Sequence, residues 1–289
     1  MIVVFGSDGF LGDRMVSKLQ SVGRNSLSCK CDEDAVAQDF TIDSAVVSFA
    51  DKDDFFRFIP AHYREVDWVI YCDKRLPNTT LSVFRMEFVQ KLWTLAASYS
   101  LSMLYAFHLP MESPVSDFQS DRFAQWVEKQ YRKPPFWYIF RVGEVYGRQE
   151  DDFGECVSRV YNFYQQILET GEATLPDPEQ EVNGEGVMRD YLYVQDAVRV
   201  FYWYMLHHPE NGVYDLGSGF ERTDFAVVNA IFRALKLPPR IRYVDPSMVG
   251  SKELHGSFLP DLRKLRGVGF RKPFYSVEKG IKSFLRRPH

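Results

Sequence analysis

Runs of consecutive apolar residues alternate along this chain with stretches whose apolar positions recur every three or four residues. The first run, Ile2-Val3-Val4-Phe5, has no polar alternation, which suits a strand buried on both faces of a parallel sheet. Arg14 to Leu19 then places Met15, Val16 and Leu19 on one helical face. Asn25 to Cys31 predicts a second strand, Asp51 to Ile59 a capped amphipathic helix, and Val66 to Tyr71 a third strand. Phe84 to Ser98 carries Phe84, Phe88, Leu92 and Leu95 at helical spacing, and Met103 to Phe107 is the next strand. Asp117 to Tyr131 is helical until Pro134 and Pro135 stop it, and Phe136 to Val142 is a further strand. Val46 and Val47 stand in a stretch with no clear period. The alternation predicts an α/β chain with a doubly wound parallel sheet.

Beyond about residue 150 the texture changes. Cys156 to Leu168 is helical, Pro176 to Glu185 is a Pro/Glu-rich loop, and Met188 to Tyr193 precedes a helix over Val194 to His207. Thr223 to Leu235 and Ser276 to Leu285 carry the last helices. Residues 1–150 are read as a dinucleotide-binding domain and 151–289 as a smaller α/β lobe interleaved with it, with a substrate cleft between them. Four consecutive aromatics, Phe201 to Tyr204, cannot all face one core from a helix. Either the smaller lobe packs on both sides of that helix, or a partner covers part of it.

The first strand runs into Gly6, Gly9 and Gly12, spaced G-x-x-G-x-x-G, and a helix follows at once. Strand, glycine loop and helix together form a Rossmann-type phosphate site. The glycines allow a tight turn, close backbone approach to a pyrophosphate, and close helix packing. Gly6, Gly9, Phe10, Leu11 and Gly12 are therefore the candidate cofactor loop. Asp32 lies 20 residues past Gly12, where a carboxylate can accept from a ribose hydroxyl. No Arg adjoins it, which favours NAD over NADP; the alternative is a solvated acid beside Glu33 and Asp34.

At 289 residues and 45% hydrophobic, the chain has ample material for a core. Its net charge of −4 gives no electrostatic case for nucleic acid or an anionic membrane. No apolar run approaches the ~20 residues of a membrane span, and no targeting signal is visible at the start. Cys29, Cys31, Cys72 and Cys156 lack metal-site spacing and read as reduced thiols, so a reducing compartment, the cytoplasm or an organelle matrix, is expected. No metal site is expected.

Four segments carry a resemblance to a known family: Gly6 to Gly12 (GSDGFLG), Phe140 to Gln149 (FRVGEVYGRQ), Met188 to Val198 (MRDYLYVQDAV) and Val213 to Phe225 (VYDLGSGFERTDF). They resemble the extended short-chain dehydrogenase/reductases, the NAD-dependent nucleotide-sugar epimerases and dehydratases. The Asp51 to Ile59 helix and the tail from Leu262 resemble the ADP-heptose 6-epimerase branch. The resemblance implies hydride transfer between a bound nicotinamide and a sugar carbon. A Tyr acts as acid/base, a Lys four residues later lowers its pKa, and a Ser or Thr binds the reacting oxygen. It also implies a homo-oligomer joined through the helices at 84–98 and 117–131.

This chain departs from that pattern at each reacting position. His108 stands where the Ser belongs, Asp117 where the Tyr belongs, and Asp121 where the Lys belongs. Residues 106 to 130 contain no tyrosine, and their only lysine is Lys129. Tyr275 and Lys279 have the right spacing but fall in the terminal helix. Phe153 takes the place of the second base, a Lys, and Glu144 replaces the substrate-facing Asn. Arg189 and Asp190 match a pair near the substrate and are expected to form a structural ion pair; Arg141 reads as scaffold.

The leading expectation is a catalytically degenerate relative. It would keep a dinucleotide as a structural cofactor and act as a binding subunit of a larger complex. One alternative is an active nucleotide-sugar epimerase or dehydratase in which His108, Asp117 and Asp121 form an altered acid/base set. Against that, two Asp at i and i+4 repel and have low reference pKa values. A further alternative is an NAD(H)-binding regulatory sensor. His207-His208, at a helix end, suits the macrodipole better than a metal.

Overall fold

The computed structural model of the protein describes residues 1–29, 38–42, 45–49, 52–73, 82–108, 119–148, 150–153, 157–177, 188–248 and 259–285. In chain order the first half contains β1 (Ile2–Phe5), α1 (Phe10–Ser21), β2 (Ser26–Cys29), β3 (Gln38–Ile42), β4 (Ala45–Phe49), α2 (Lys52–His62), β5 (Trp68–Cys72), α3 (Ser82–Tyr99), β6 (Ser102–His108), α4 (Gln119–Glu128) and β7 (Trp137–Val142). The second half contains β8 (Glu144–Tyr146), α5 (Arg159–Thr170), β9 (Ala173–Pro176), β10 (Met188–Tyr193), α6 (Val194–His207), β11 (Gly212–Leu216), β12 (Glu221–Thr223), α7 (Asp224–Leu235), β13 (Ile241–Val244), α8 (Arg263–Gly267) and α9 (Val277–Leu285). Among the described residues no helix is long and apolar enough to cross a membrane.

Six strands form one sheet in the order β11-β7-β6-β5-β1-β2, all parallel. The chain leaves β1 to one side for β2 and returns to the other side at β5. The order therefore reverses between β1 and β5, where open α/β sheets place their ligands. Alternate strand residues face opposite layers. Val4, Ile70, Leu104 and Phe140 pack with α1 and α6, whereas Val3, Val69, Met103 and Ile139 pack with α3 and α4. This two-sided burial is why the strands read as unbroken apolar runs.

Two small sheets stand beyond the main one. β8 and β12 flank β10, and β9 pairs with β13. β3 and β4 form an antiparallel hairpin in the stretch where no period was evident. Its strands are five residues each, and Gln38, Asp39 and Thr41 blur the alternation.

The aromatic run on α6 divides between two surroundings. Phe201 and Tyr204 are fully buried against Phe140 and Tyr138, an environment worth about 1.5–3 kcal/mol for a side chain the size of Phe. Trp203 packs edge-on against Phe270 and stacks on His207, so the C-terminal segment covers the helix's second side. His208 ends α6 in the left-handed region, φ 47°, and stacks on Phe136 and Trp68. Cys29 and Cys72 are buried; Cys31 and Cys156 lie outside the described residues.

Candidate functional site

Gly6 follows the carboxyl end of β1, at the point where the sheet order reverses. Its φ is +70°, and a Cβ there would lie 1.9 Å from the Cys72 carbonyl oxygen at the end of β5. A Cβ on Gly12 would lie 1.9 Å from the Gly6 carbonyl oxygen. Both approaches are backbone to backbone, so only glycine fits. The loop closes with Ser7 N–H donating to Cys29 O at 3.1 Å and Gly9 N–H to Gly6 O at 3.0 Å. Gly9 is the N-cap of α1 and has no side chain to take up the first-turn amides. Those amides and the helix dipole favour an anion. The geometry fits a pyrophosphate.

Phe10 and Leu11 are each 1% exposed, so their side chains belong to the core and only their backbone amides are available to a ligand. Gly147 approaches this corner closely: a Cβ there would meet Phe10 and Val194. Arg14 pairs with Asp13 at 3.1 Å and donates to Arg148 O at 2.7 Å, tying α1 to the chain beyond β8. Burial raises the Asp13 carboxyl, Arg14 opposes this, and Asp152 adds to it. Asp32 lies outside the described residues.

His108 ends β6 beside Val142 of β7, close to the turn into Glu144. Asp73, not singled out in the sequence, follows β5 at the same sheet edge. It is 9% exposed and accepts from Tyr71 Oη at 3.2 Å. Gly6, Asp73, His108 and Glu144 therefore share the carboxyl edge of the sheet. Asp117 lies outside the described residues, as do the side chains of Asp121 and Phe153.

Beyond β7, carboxylates converge on the start of α5. Glu144 Oε1 accepts from Arg159 N–H at 2.6 Å. Glu150, 2% exposed, accepts from Gly147 N–H at 2.8 Å, Ser158 N–H at 2.5 Å and Ser158 Oγ at 2.7 Å. Ser158 is itself the N-cap and accepts from Tyr161 N–H at 3.1 Å. The buried Arg159 guanidinium pairs with Asp224 at 2.6 Å, and Tyr191 Oη donates to the same carboxylate at 2.5 Å. Burial, then the charges of Asp224 and Glu144, push the Tyr191 hydroxyl well above its ordinary pKa, so it stays a donor. The sequence singled out Glu144 alone in this network. The missed signals are capping residues, Ser158 before α5 and Thr223 before α7.

The expected Arg189–Asp190 pairing needs correction. Successive strand residues point to opposite faces, so the two serve different neighbours. Asp190 accepts from Ser218 N–H at 2.6 Å and Gly219 N–H at 2.5 Å. Burial raises its carboxyl, and those bonds pull it down. Arg189 is fully buried beside Tyr191. Arg141 pairs with Asp215 across β7 and β11 at 2.6 Å, as a scaffold residue would.

Comparison with known proteins agrees with this architecture. Residues 114–217 match the model of the NAD dependent epimerase/dehydratase family. The ADP-L-glycero-D-manno-heptose-6-epimerase of Pseudomonas paraeruginosa is 23% identical over 323 residues, covering 99% of this chain and 98% of that protein. The Fusobacterium nucleatum protein of the same name is 28% identical over 170 residues, 56% of this chain and about half, 51%, of the relative. Among solved structures, the Helicobacter pylori ADP-L-glycero-D-manno-heptose-6-epimerase has a TM-score of 0.74 at 16% identity, covering 98% of this chain and 94% of that one. The Thermus thermophilus UDP-glucose 4-epimerase, solved in complex with NAD, has a TM-score of 0.68 at 19% identity, covering 98% and 97%. The chain thus matches that family's model over residues 114–217 and shares the Rossmann-like fold of these two solved structures over 98% of its length.

Proposed function

We propose that this protein keeps the dinucleotide-binding part of a nucleotide-sugar epimerase or dehydratase and has lost its acid–base chemistry, serving as a binding or assembly subunit. The observation that carries this reading is a contrast within one sheet edge. The loop at Gly6 and Gly12 closes on backbone as a phosphate site requires. At the same edge the family's Ser position holds His108, and its Asn position holds Glu144, whose carboxylate is engaged by α5.

The residues that would hold the dinucleotide are Gly6, Gly9 and Gly12, the amides of Phe10 and Leu11, and Asp32 on the ribose, with NAD favoured over NADP. A bound nicotinamide supplies hydride transfer; it needs a proton acceptor on the substrate oxygen. Asp117 and Asp121 at the Tyr and Lys positions are acids of low reference pKa and do not reproduce that pair. The placement of His108 at the sheet edge favours one other reading, an active epimerase or dehydratase with an altered base.

A thermal melt tests the binding half. Saturating NAD should raise the melting temperature, by about 2.7 kcal/mol of added stability at a hundredfold excess over Kd. Nucleotide-sugars alone should leave it unchanged. An unchanged melt with both NAD and NADP would remove the dinucleotide.

The subunit half of the reading draws on the other side of the sheet. α2, α3 and α4 frame a groove of about 630 Å³, with Phe56, Pro60, Leu95, Tyr99 and Trp126 in its walls. Pairing of two copies through α3 and α4 would cover it. Light scattering should then show a homo-oligomer that Leu95→Arg dissociates; a monomeric parent protein would contradict this. A reducing compartment, the cytoplasm or an organelle matrix, belongs to the same proposal and rests on the cysteine spacing in the sequence.

A further inference from the structure

The end of the chain carries a charge imbalance that neither the glycine loop nor the cleft uses. Residues 263–289 hold nine of the 35 Lys and Arg but one of the 39 Asp and Glu, in a chain of net charge −4; of the nine, Arg263 pairs with Asp261 and Lys264 donates to Val213 O, so these two are engaged elsewhere. The described part of this segment folds back on α6. Arg199 Nη2 donates to Pro273 O at 2.6 Å, and Arg266 Nη1 donates to Lys272 O at 2.7 Å. The Arg266 guanidinium lies 4.6 Å from the centre of the Phe274 ring and 5.5 Å from that of Phe270. Its pKa is lowered, first by burial and then by Arg199 and Arg271, so three guanidinium groups share this corner. Asp196 meets them, but it is 1% exposed, pairs with Arg199 at 2.6 Å and accepts from Tyr275 N–H at 2.6 Å. Arg271 and Lys272 stand exposed beside it.

Arg199, Tyr202 and Leu206 follow one another along a single stripe of α6. Lys18 of α1 sits 5.2 Å over the Tyr202 ring, and Leu206 is 46% exposed. Arginine with aromatic and apolar neighbours is the composition of protein interface centres.

We propose that this face of α6 and the C-terminal segment docks an acidic segment of a partner protein. Charge complementarity selects the occupant. A short acidic segment matches a patch of this size, whereas a long polyanion or an anionic bilayer must also approach the rest of a chain whose net charge is −4. The inference rests on the binding-subunit reading and gives that partner a chemistry.

Fluorescence anisotropy on the full chain with a labelled octaglutamate peptide tests it. Binding should saturate, weaken with salt, and fall about tenfold in Arg271→Glu/Lys272→Glu. Arg64→Glu/Lys129→Glu, an equal charge change beyond α2 and α4 on the sheet's other side, should have little effect. Absence of saturable binding, or equal loss in both double variants, would overturn the proposal. So would tighter binding of phosphatidylserine-containing vesicles or of a single-stranded oligonucleotide, which would reassign the face to lipid or nucleic acid. The Arg271→Glu/Lys272→Glu protein should keep its NAD-dependent melt, so a failed peptide site and a failed dinucleotide site give different results.

Discussion

Gly12→Ala is expected to abolish the NAD-dependent rise in melting temperature and to destabilise the fold by about 3 kcal/mol or more. The new methyl group would sit 1.9 Å from Gly6 O, 2.6 Å from Gly6 C and 3.0 Å from Ser7 N. All three are backbone atoms of the loop itself, so no side chain can swing away and either the loop or α1 must move. Gly23→Ala is the control. Its φ is +68°, close to that of Gly6, but nothing lies within 4 Å of the added Cβ. That variant should lose only the conformational cost of about 1–2 kcal/mol and keep the melt response. Denaturant midpoints and melts with and without NAD check both. Equal behaviour of the two variants would mean that close approach is not what the loop glycine provides.

Asp224→Ala should cost about 2–3 kcal/mol, because it removes the 2.6 Å carboxylate partner of the buried Arg159 guanidinium. It also removes the acceptor of the buried Tyr191 hydroxyl. The double variant Arg159→Met/Asp224→Leu should recover much of that loss, since apolar replacements of a buried pair are often close to neutral. Urea unfolding measures both, and a loss below about 1 kcal/mol for Asp224→Ala would show that the network is exposed to water in solution.

The parts of the fold that were legible in the sequence are those governed by local periodicity. The helix expected over Val194 to His207 spans those residues, and the apolar runs at Ile2 and Met103 are central strands. Elements defined by distant partners were not legible. β12 is three residues long and is defined by its antiparallel pairing with β10, and β9 by its pairing with β13. The site divides the same way. The glycine loop is contiguous, so its spacing announces it. Glu150 and Ser158 lie near each other in sequence, but Tyr191 and Asp224 are distant from them and from each other, and the network closes only through α5, β10 and α7. Arg189–Asp190 shows the converse, since adjacency in sequence suggested a pair that strand alternation separates.

In the proposed state of this protein the dinucleotide site persists without the reaction. The most direct test is proton NMR of ADP-glycero-manno-heptose, and of UDP-sugars in parallel, incubated with NAD-loaded protein at high concentration. Unchanged starting sugar after prolonged incubation is the expected result. The appearance of an epimer or a dehydrated sugar, dependent on NAD and lost in Gly12→Ala, would contradict catalytic degeneracy.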